Sequence, residues 1–368
     1  MRISLLEERE DFKSILNDTL SSSSFFIENN YSGKKKYYIN KYLNFIATNK
    51  LPENVFQILV NEYSSSLSWW KKGIQSLYVK FAISKNFRAL LSHNSIKLPS
   101  SFENFLILGG NHRLRLFSVN LKSSIVLLKQ GERGGYVNND IAIRTENKLT
   151  YAPQLLKYGE DWLKEEYFDG VPLNRLKDSK KIDSFQKKII NIHLKELLLS
   201  AKKSWTNKEY QLFIKNEINF IIGDKFLQKT AVKKNTIIAL FDLLFKELST
   251  ENISISWSHG DFQMANILVK ENNLKVIDWE SANKRYYLYD IYTLIGGLRS
   301  GIQLKESIEV FRGKISSFLD LEISHQMIIL LFIEELRYSI NEEYSENFYI
   351  SGVKTNHLCN EILNYINE

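Results

Sequence analysis

The sequence predicts an α+β protein: a small antiparallel sheet, a larger and mainly helical part after it, and a further helical region ahead of both. Three observations predict it. From Phe102 apolar and polar residues alternate through FLILGG, RLRLFSV and SSIVLLKQGE, the period of half-buried strands joined by turns. After Pro172 the chain has no proline, and apolar residues recur at helical spacing over Ile189–Leu199, Tyr210–Ile222, Ile237–Leu248, Ile291–Leu298 and Met327–Leu336. Among those helices lie three short apolar runs, Ile253–Trp257, Ile267–Val269 and Leu274–Ile277, which read as buried strands.

The first 101 residues read as helical. Leu5–Leu20 is a candidate helix that ends in the turn-forming run Ser21–Ser24. After the KKKYY cluster at Lys34–Tyr38, Tyr42, Phe45 and Ile46 continue at helical spacing. Pro52 suits the first turn of another helix, with Val55, Phe56, Leu59, Val60 and Tyr63 on its apolar face. Across Trp69–Leu91, Trp70, Ile74, Leu77, Tyr78 and Phe81 share one face. From Tyr63 to Phe102 there is no Asp or Glu, whereas Lys71, Lys72, Lys80, Lys85, Arg88 and Lys97 supply six of the chain's net charge of +7. Two readings stand side by side. The apolar face packs on the rest of the protein, the commoner arrangement, or it lies on an anionic membrane or another polyanion.

The most informative stretch is SHGDFQMANILVKENNLKVIDWE, Ser258–Glu280. Asp261 is followed five residues later by Asn266, and Asp278 comes twelve residues after that. At strand ends and turns these place a carboxylate, an amide and a second carboxylate toward a cleft. Phosphoryl transfer from a nucleotide needs such a set, because the protein's part is positioning and charge neutralisation. One carboxylate receives the hydrogen bond and later the proton of the acceptor hydroxyl. An amide oxygen and another carboxylate suit Mg²⁺, a hard cation. Asp261 is then the base, and Asn266 and Asp278 the metal ligands. Asp and Asn also favour turns for their own hydrogen bonds, so the ordered set, not any one member, carries the reading. His259 reads as structural, holding the loop. His193 and His325, on apolar faces, read as core.

HGDFQMANIL and VIDWE resemble the aminoglycoside phosphotransferase and choline kinase group of protein-kinase-like enzymes. The catalytic loop of that group reads His-Gly-Asp-x-x-x-x-Asn, followed by an Ile-Asp-Trp/Phe-Glu segment. His259, Gly260, Asp261, Asn266, Asp278, Trp279 and Glu280 match it position by position, and Asp290 resembles the family's downstream Asp that braces the loop. The resemblance covers roughly residues 102–340. It implies a bilobal protein-kinase-like fold with a small lobe over 102–170 and a large lobe over 171–368, leaving 1–101 as a helical N-terminal extension. It also implies ATP and Mg²⁺. In this scheme Gly109 and Gly110 approach the phosphates, Lys129 clamps them, and backbone around Glu166, Tyr167 and Phe168 meets the adenine edge. Each has a plainer reading: a hairpin turn, an edge-strand lysine facing water, and a strand ending in the Asp169-Gly170 turn. The acidic partner of Lys129 is where the pattern departs. The family generally places a Glu there; the candidates are Asp140, a shorter acid that pairs with Lys129 only if its helix sits nearer, and Glu146, which lies close to the following strand. The tyrosines at 286, 287, 289 and 292 read as acceptor-pocket lining or as packing.

Composition bounds the rest. A chain of 368 residues, 44% hydrophobic and 25% charged, can bury more than one core. The single cysteine, Cys359, excludes an internal disulfide framework and fits a reducing cytoplasm. MRISLLEEREDF carries acids where a signal peptide needs an apolar stretch, and no apolar run approaches the ~20 residues that span a bilayer. The six histidines lack zinc spacing, and nothing supplies base-stacking or groove-reading elements, so no nucleic acid is expected. The expectation is a cytoplasmic phosphotransferase acting on a hydroxyl of a small molecule or saccharide, in peripheral contact with an anionic membrane or polyanion through 63–102. The alternative is a kinase-shaped nucleotide-binding module without transfer.

Overall fold

Alternation governs the first half of the chain and helical periodicity the second. The structure, a computed structural model, describes residues 12–22, 33–63, 69–110, 113–129, 136–223, 234–345 and 353–368. It is α+β and divides into two units, Met1–Ile141 with Pro153–Phe168, and Ala142–Ala152 with Asp169–Glu368.

The first unit is built on an antiparallel sheet of β1 (Lys34–Asn40), β2 (Phe45–Ala47), β3 (Asn94–Pro99), β4 (Phe105–Gly109), β5 (Arg113–Ser118), β6 (Ser123–Leu128), β7 (Leu155–Tyr158) and β8 (Trp162–Glu166). Its order is β3-β1-β2-β4-β5-β6-β8-β7. Successive strand residues point to opposite faces, and the cores divide accordingly. Ile46, Ile107, Leu114 and Leu116 pack with Phe12, Ile15, Leu16 and Leu20 of the Phe12–Ser22 helix. Phe45, Leu106 and Phe117 pack instead with Leu59, Val79, Ala82 and Ile83, from the Gln57–Tyr63 and Trp69–Ile83 helices.

The helical reading of 38–46 is corrected. Those residues belong to β1, β2 and the turn between them, and β1 pairs with β3 so that Tyr37 faces Ile96 and Ile39 faces Asn94. The spacing of Tyr38, Tyr42, Phe45 and Ile46 misleads because Tyr37 and Ile39, both fully buried, are the inward pair. The predicted Leu5–Leu20 helix is seen as Phe12–Ser22, which runs through Ser21 and Ser22 where a turn was expected. Residues 1–11, including the acids read against a signal peptide, and Ser23 and Ser24 lie outside the described residues. Pro52 precedes a short 3₁₀ turn, Glu53–Phe56, before the Gln57–Tyr63 helix begins.

The second unit carries the long helices Ser179–His193, Asn207–Gly223, Lys234–Glu247, Leu304–Leu319, His325–Ser345 and Val353–Asn367. Its strands are β9 (Val171–Pro172), β10 (Lys203–Thr206), β11 (Asn252–Ser258), β12 (Ile267–Lys270), β13 (Asn273–Val276) and β14 (Asn283–Tyr286), in two small sheets ordered β10-β11-β14 and β13-β12-β9. The Asp178 carboxylate caps the first of these helices by accepting from the amides of Lys180 and Lys181. A buried ionic cluster ties three elements together: Arg337 bonds Glu334 at 3.0 Å and Glu217 at 2.6 Å, and Glu334 accepts from the Tyr286 amide at 2.9 Å. His325, expected in the core, is exposed at the start of its helix. No helix among the described residues is long and apolar enough to cross a membrane.

Candidate functional site

The 258–280 stretch begins where β11 ends, and one buried carboxylate organises that end. Asp290, at the start of the Tyr289–Ile295 helix, accepts from Ser258 Oγ (2.6 Å), the His259 amide (2.7 Å), the Gly260 amide (3.0 Å) and His193 Nε2 (2.8 Å). The Tyr151 hydroxyl in turn donates to His193 Nδ1 at 2.7 Å. Burial by itself would raise the Asp290 carboxyl's pKa. The hydrogen bond and field of His193, the field of His259 and the Ser258 bond outweigh it and hold the value at about 2.

His259 closes the other side of the loop. Its Nε2 donates to the Ile277 carbonyl at 2.9 Å, and its Nδ1 accepts the Asp261 amide at 3.3 Å. The bond at Nδ1 requires the neutral imidazole, and burial lowers the ring's pKa in agreement, against the opposing pull of Asp290. His259 therefore holds the loop. Gly260 has φ +83°, and a Cβ there would come within 2.2 Å of the Ser281 carbonyl oxygen. Only glycine fits between His259 and Asp261.

The loop then delivers Asp261. Its Oδ2 accepts from Gln263 Nε2 (2.7 Å) and Asn266 Nδ2 (3.0 Å), and its Oδ1 lies 3.4 Å from Arg299 Nε. Asn266 Nδ2 also donates to the Asp261 carbonyl, so Oδ1 is the oxygen Asn266 offers to anything else. Asn266 precedes β12 and Asp278 follows β13. The two strands form a hairpin in which Ile267 faces Val276, and the Ile277 amide bonds the Asn266 carbonyl at 2.9 Å. Asn266 and Asp278 therefore stand at one end of one hairpin. Asp278 is left-handed, at φ 74° and ψ 50°, a conformation that costs a non-glycine residue roughly 1–2 kcal/mol. Such strain is a pointer to function.

Within the first unit, Lys129 falls just after β6, not inside a strand, and β6 is interior to the sheet. The lysine is 2% exposed and donates to the Gly110 carbonyl at 2.6 Å, so the reading of a water-facing edge lysine is set aside. Gly109 ends β4, and its carbonyl takes Asn44 Nδ2 at 2.7 Å. Asp140 Oδ2 lies 3.5 Å from Arg113 Nη1, while Glu146, in the second unit, accepts from Trp257 Nε1 at 2.9 Å. Glu166, Tyr167 and Phe168 end the unit. The Glu166 amide bonds the Gln154 carbonyl and the Tyr167 amide the Lys122 carbonyl. Leu127 faces Trp162 and Ser123 faces Glu166, so Lys129 and Glu166–Phe168 lie at opposite ends of the β6–β8 pair.

No protein-family model and no curated protein matches the chain. Solved structures do: among those similar to it are choline kinases, aminoglycoside phosphotransferases and glucosamine kinase. The choline kinase LicA of Streptococcus pneumoniae is 14% identical over 72% of this chain and 91% of its own, with a TM-score of 0.45. An aminoglycoside phosphotransferase crystallised with ADP and hygromycin B is 14% identical over 70% and 93%, with a TM-score of 0.47. A glucosamine kinase is 11% identical over 68% and 75%, with a TM-score of 0.40.

Sequence reasoning missed the groups that surround Asp261. Arg299 reaches Glu335 through Nη1 at 2.5 Å and Nη2 at 3.2 Å, bonds the Tyr289 hydroxyl at 3.0 Å, and lies 4.1 Å over the Tyr338 ring. One signal existed: Glu334 and Glu335 interrupt the apolar run IILLFIEEL, where buried acids need partners. Gln263 lay within the motif itself. Tyr286, Tyr289 and Tyr292 prove to be buried packing, at 4% exposure or less.

Proposed function

We propose that the protein is an ATP- and Mg²⁺-dependent phosphotransferase with a hydroxyl of a small molecule or saccharide as acceptor. The observation that carries the proposal is the Asp261 carboxylate 3.0 Å from Asn266, on a loop whose amides are pinned to Asp290. Asp261 would orient the acceptor hydroxyl and take its proton. Gln263, Asn266 and Arg299 fix the direction in which that carboxylate points. The donor set suits magnesium. Asn266 Oδ1 and the Asp278 carboxylate are hard oxygens at one hairpin end, and this cation commonly takes one or two protein oxygens and completes its shell with phosphate and water. When bound, it would neutralise charge on the phosphates.

Lys129, Gly109 and Gly110 are proposed for the nucleotide phosphates and the backbone of Glu166–Phe168 for the adenine. By strand rise, the two ends of the β6–β8 pair stand about 16 Å apart, the order of length of an extended nucleoside triphosphate. A cytoplasmic location belongs to the same proposal and rests on a single, buried, free cysteine, Cys359.

The test is turnover of labelled ATP across a panel of metabolite and saccharide acceptors, with Asp261→Asn beside the wild type. The variant is expected to bind nucleotide within a few-fold of wild type and to lose about 10³-fold in turnover. Unchanged turnover in the variant defeats the assignment of the base. Nucleotide binding by the wild type without transfer to any acceptor favours a non-catalytic binding module.

A further inference from the structure

The Trp69–Ile83 helix turns its larger apolar face outward. Trp70, Ile74, Leu77 and Phe81 are spaced to form one stripe along it, and they are 52, 64, 57 and 42% exposed. The helix is held from the other side. Val79 and Ala82 are 1% exposed, Ile83 joins them in the core, and the Tyr78 hydroxyl accepts from Asn40 Nδ2 at 3.0 Å. The stripe continues past the helix end into Phe87, edge-on to Phe81 at 5.2 Å, and Leu90, 76% exposed. Single exposed apolar residues are ordinary; a contiguous row marks an interaction surface.

Charge narrows the partner. The row lies in the segment that contains no acid between Tyr63 and Phe102, and one exposed acid from outside that segment, Glu53, accepts from the Lys85 amide at 3.2 Å. Lys80 and Lys85 are exposed within it, and Lys97 is exposed on edge strand β3, opposite Lys36 of β1. Arg88 is not part of this surface: its guanidinium is buried against the carbonyls of Thr48, Leu51 and Ile83. A second copy docked through a two-fold axis would bring two net basic faces together, which repel. A soluble polyanion would meet the lysines and leave the tryptophan row in water. An anionic bilayer satisfies both, because aromatic and aliphatic side chains enter the headgroup boundary while lysines meet lipid phosphates. We propose that this face docks the protein on an anionic lipid surface. The inference stands apart from the reading of Asp261, since every residue in it belongs to the first unit.

Co-sedimentation of the full chain with extruded vesicles tests it, using phosphatidylcholine alone and phosphatidylcholine mixed with phosphatidylglycerol. The wild type is expected to sediment with the mixed vesicles, not with phosphatidylcholine alone, and less so in raised salt. Ile74→Ser with Leu77→Ser is expected to weaken binding about tenfold or more, with an unchanged thermal melt because both side chains already face solvent. Lys80→Gln and Lys85→Gln should each cost about fivefold with mixed vesicles. Wild type that stays in the supernatant with both lipids overturns the proposal, as does a double serine variant that sediments like wild type. A concentration-dependent dimer that the serine pair abolishes, without vesicle binding, assigns the face to a second copy and overturns it too.

Discussion

Arg299 is the side chain on which the surroundings of Asp261 depend. Burial would pull its guanidinium pKa down, but the charge of Glu335 outweighs burial, with help from Tyr289 and Tyr338, and raises it instead. It stays charged and grips Glu335 with two nitrogens while presenting a third to Asp261. Arg299→Met strands a carboxylate that is only 7% exposed, so it should destabilise the protein by about 3 kcal/mol. Adding Glu335→Gln should return much of that loss, because the orphaned charge is gone. Urea unfolding of the two single variants and the double variant measures the coupling; additive losses would mean the pair is not coupled. The acids in the apolar run 328–336 signal that a partner is needed, but no local spacing names Arg299 as that partner. Arg299 and Glu335 lie 36 positions apart, and neither falls in a motif, whereas Asp261, Asn266 and Asp278 are legible because their spacing is local.

At the scale of elements, the joint between β11 and the Tyr289–Ile295 helix is electrostatic. Asp290 titrates at about 2 in the fold against an ordinary value of 3.8, so its ionised form stabilises the native state. With the folded value below the unfolded one, the contribution is present above pH 4 and lost as the pH falls from there through about 2. Its size is about 2 kcal/mol. Wild type should therefore exceed Asp290→Asn most at neutral pH, with the gap in urea midpoint closing over that acidic window. A gap independent of pH would assign the effect to shape instead of charge. Elements differ in how far they could be read. β4, β5 and β6 are apolar runs of five or six residues bounded by turns and were legible, although β6 is buried at four consecutive positions instead of alternating. β1 was not, because three exposed lysines precede a burial pattern only a few residues long, and its partner β3 comes more than fifty residues later. The Trp69–Ile83 helix was legible as a helix, but not the side it buries, since Val79, Ala82 and Ile83 compete with a bulkier apolar stripe.

For the whole molecule, the position of the first 101 residues matters most. They supply β1, β2 and β3 to the sheet, with Phe45 paired to Leu108 and Ile46 to Ile107, and their helices cover both of its faces. A chain begun at residue 102 would leave β4 as an open edge and bare Leu106, Ile107, Leu114 and Leu116 to water. Such a truncation is expected to be insoluble or to lack a cooperative melt; a soluble, cooperatively melting product would make those residues a separable appendage. The sequence by itself determined what local order can encode: the short apolar runs of β4–β6, the helices after Pro172, and a carboxylate, an amide and a carboxylate at set intervals around one hairpin. Only the tertiary structure decided which distant strands β1 and β2 would join, that Arg299 and Glu335 would flank Asp261, and which face of the Trp69–Ile83 helix would stay wet. Periodicity records what a residue prefers to contact over a few turns or strands. Partners tens of positions away are chosen by packing, and packing leaves no spacing in the chain to read.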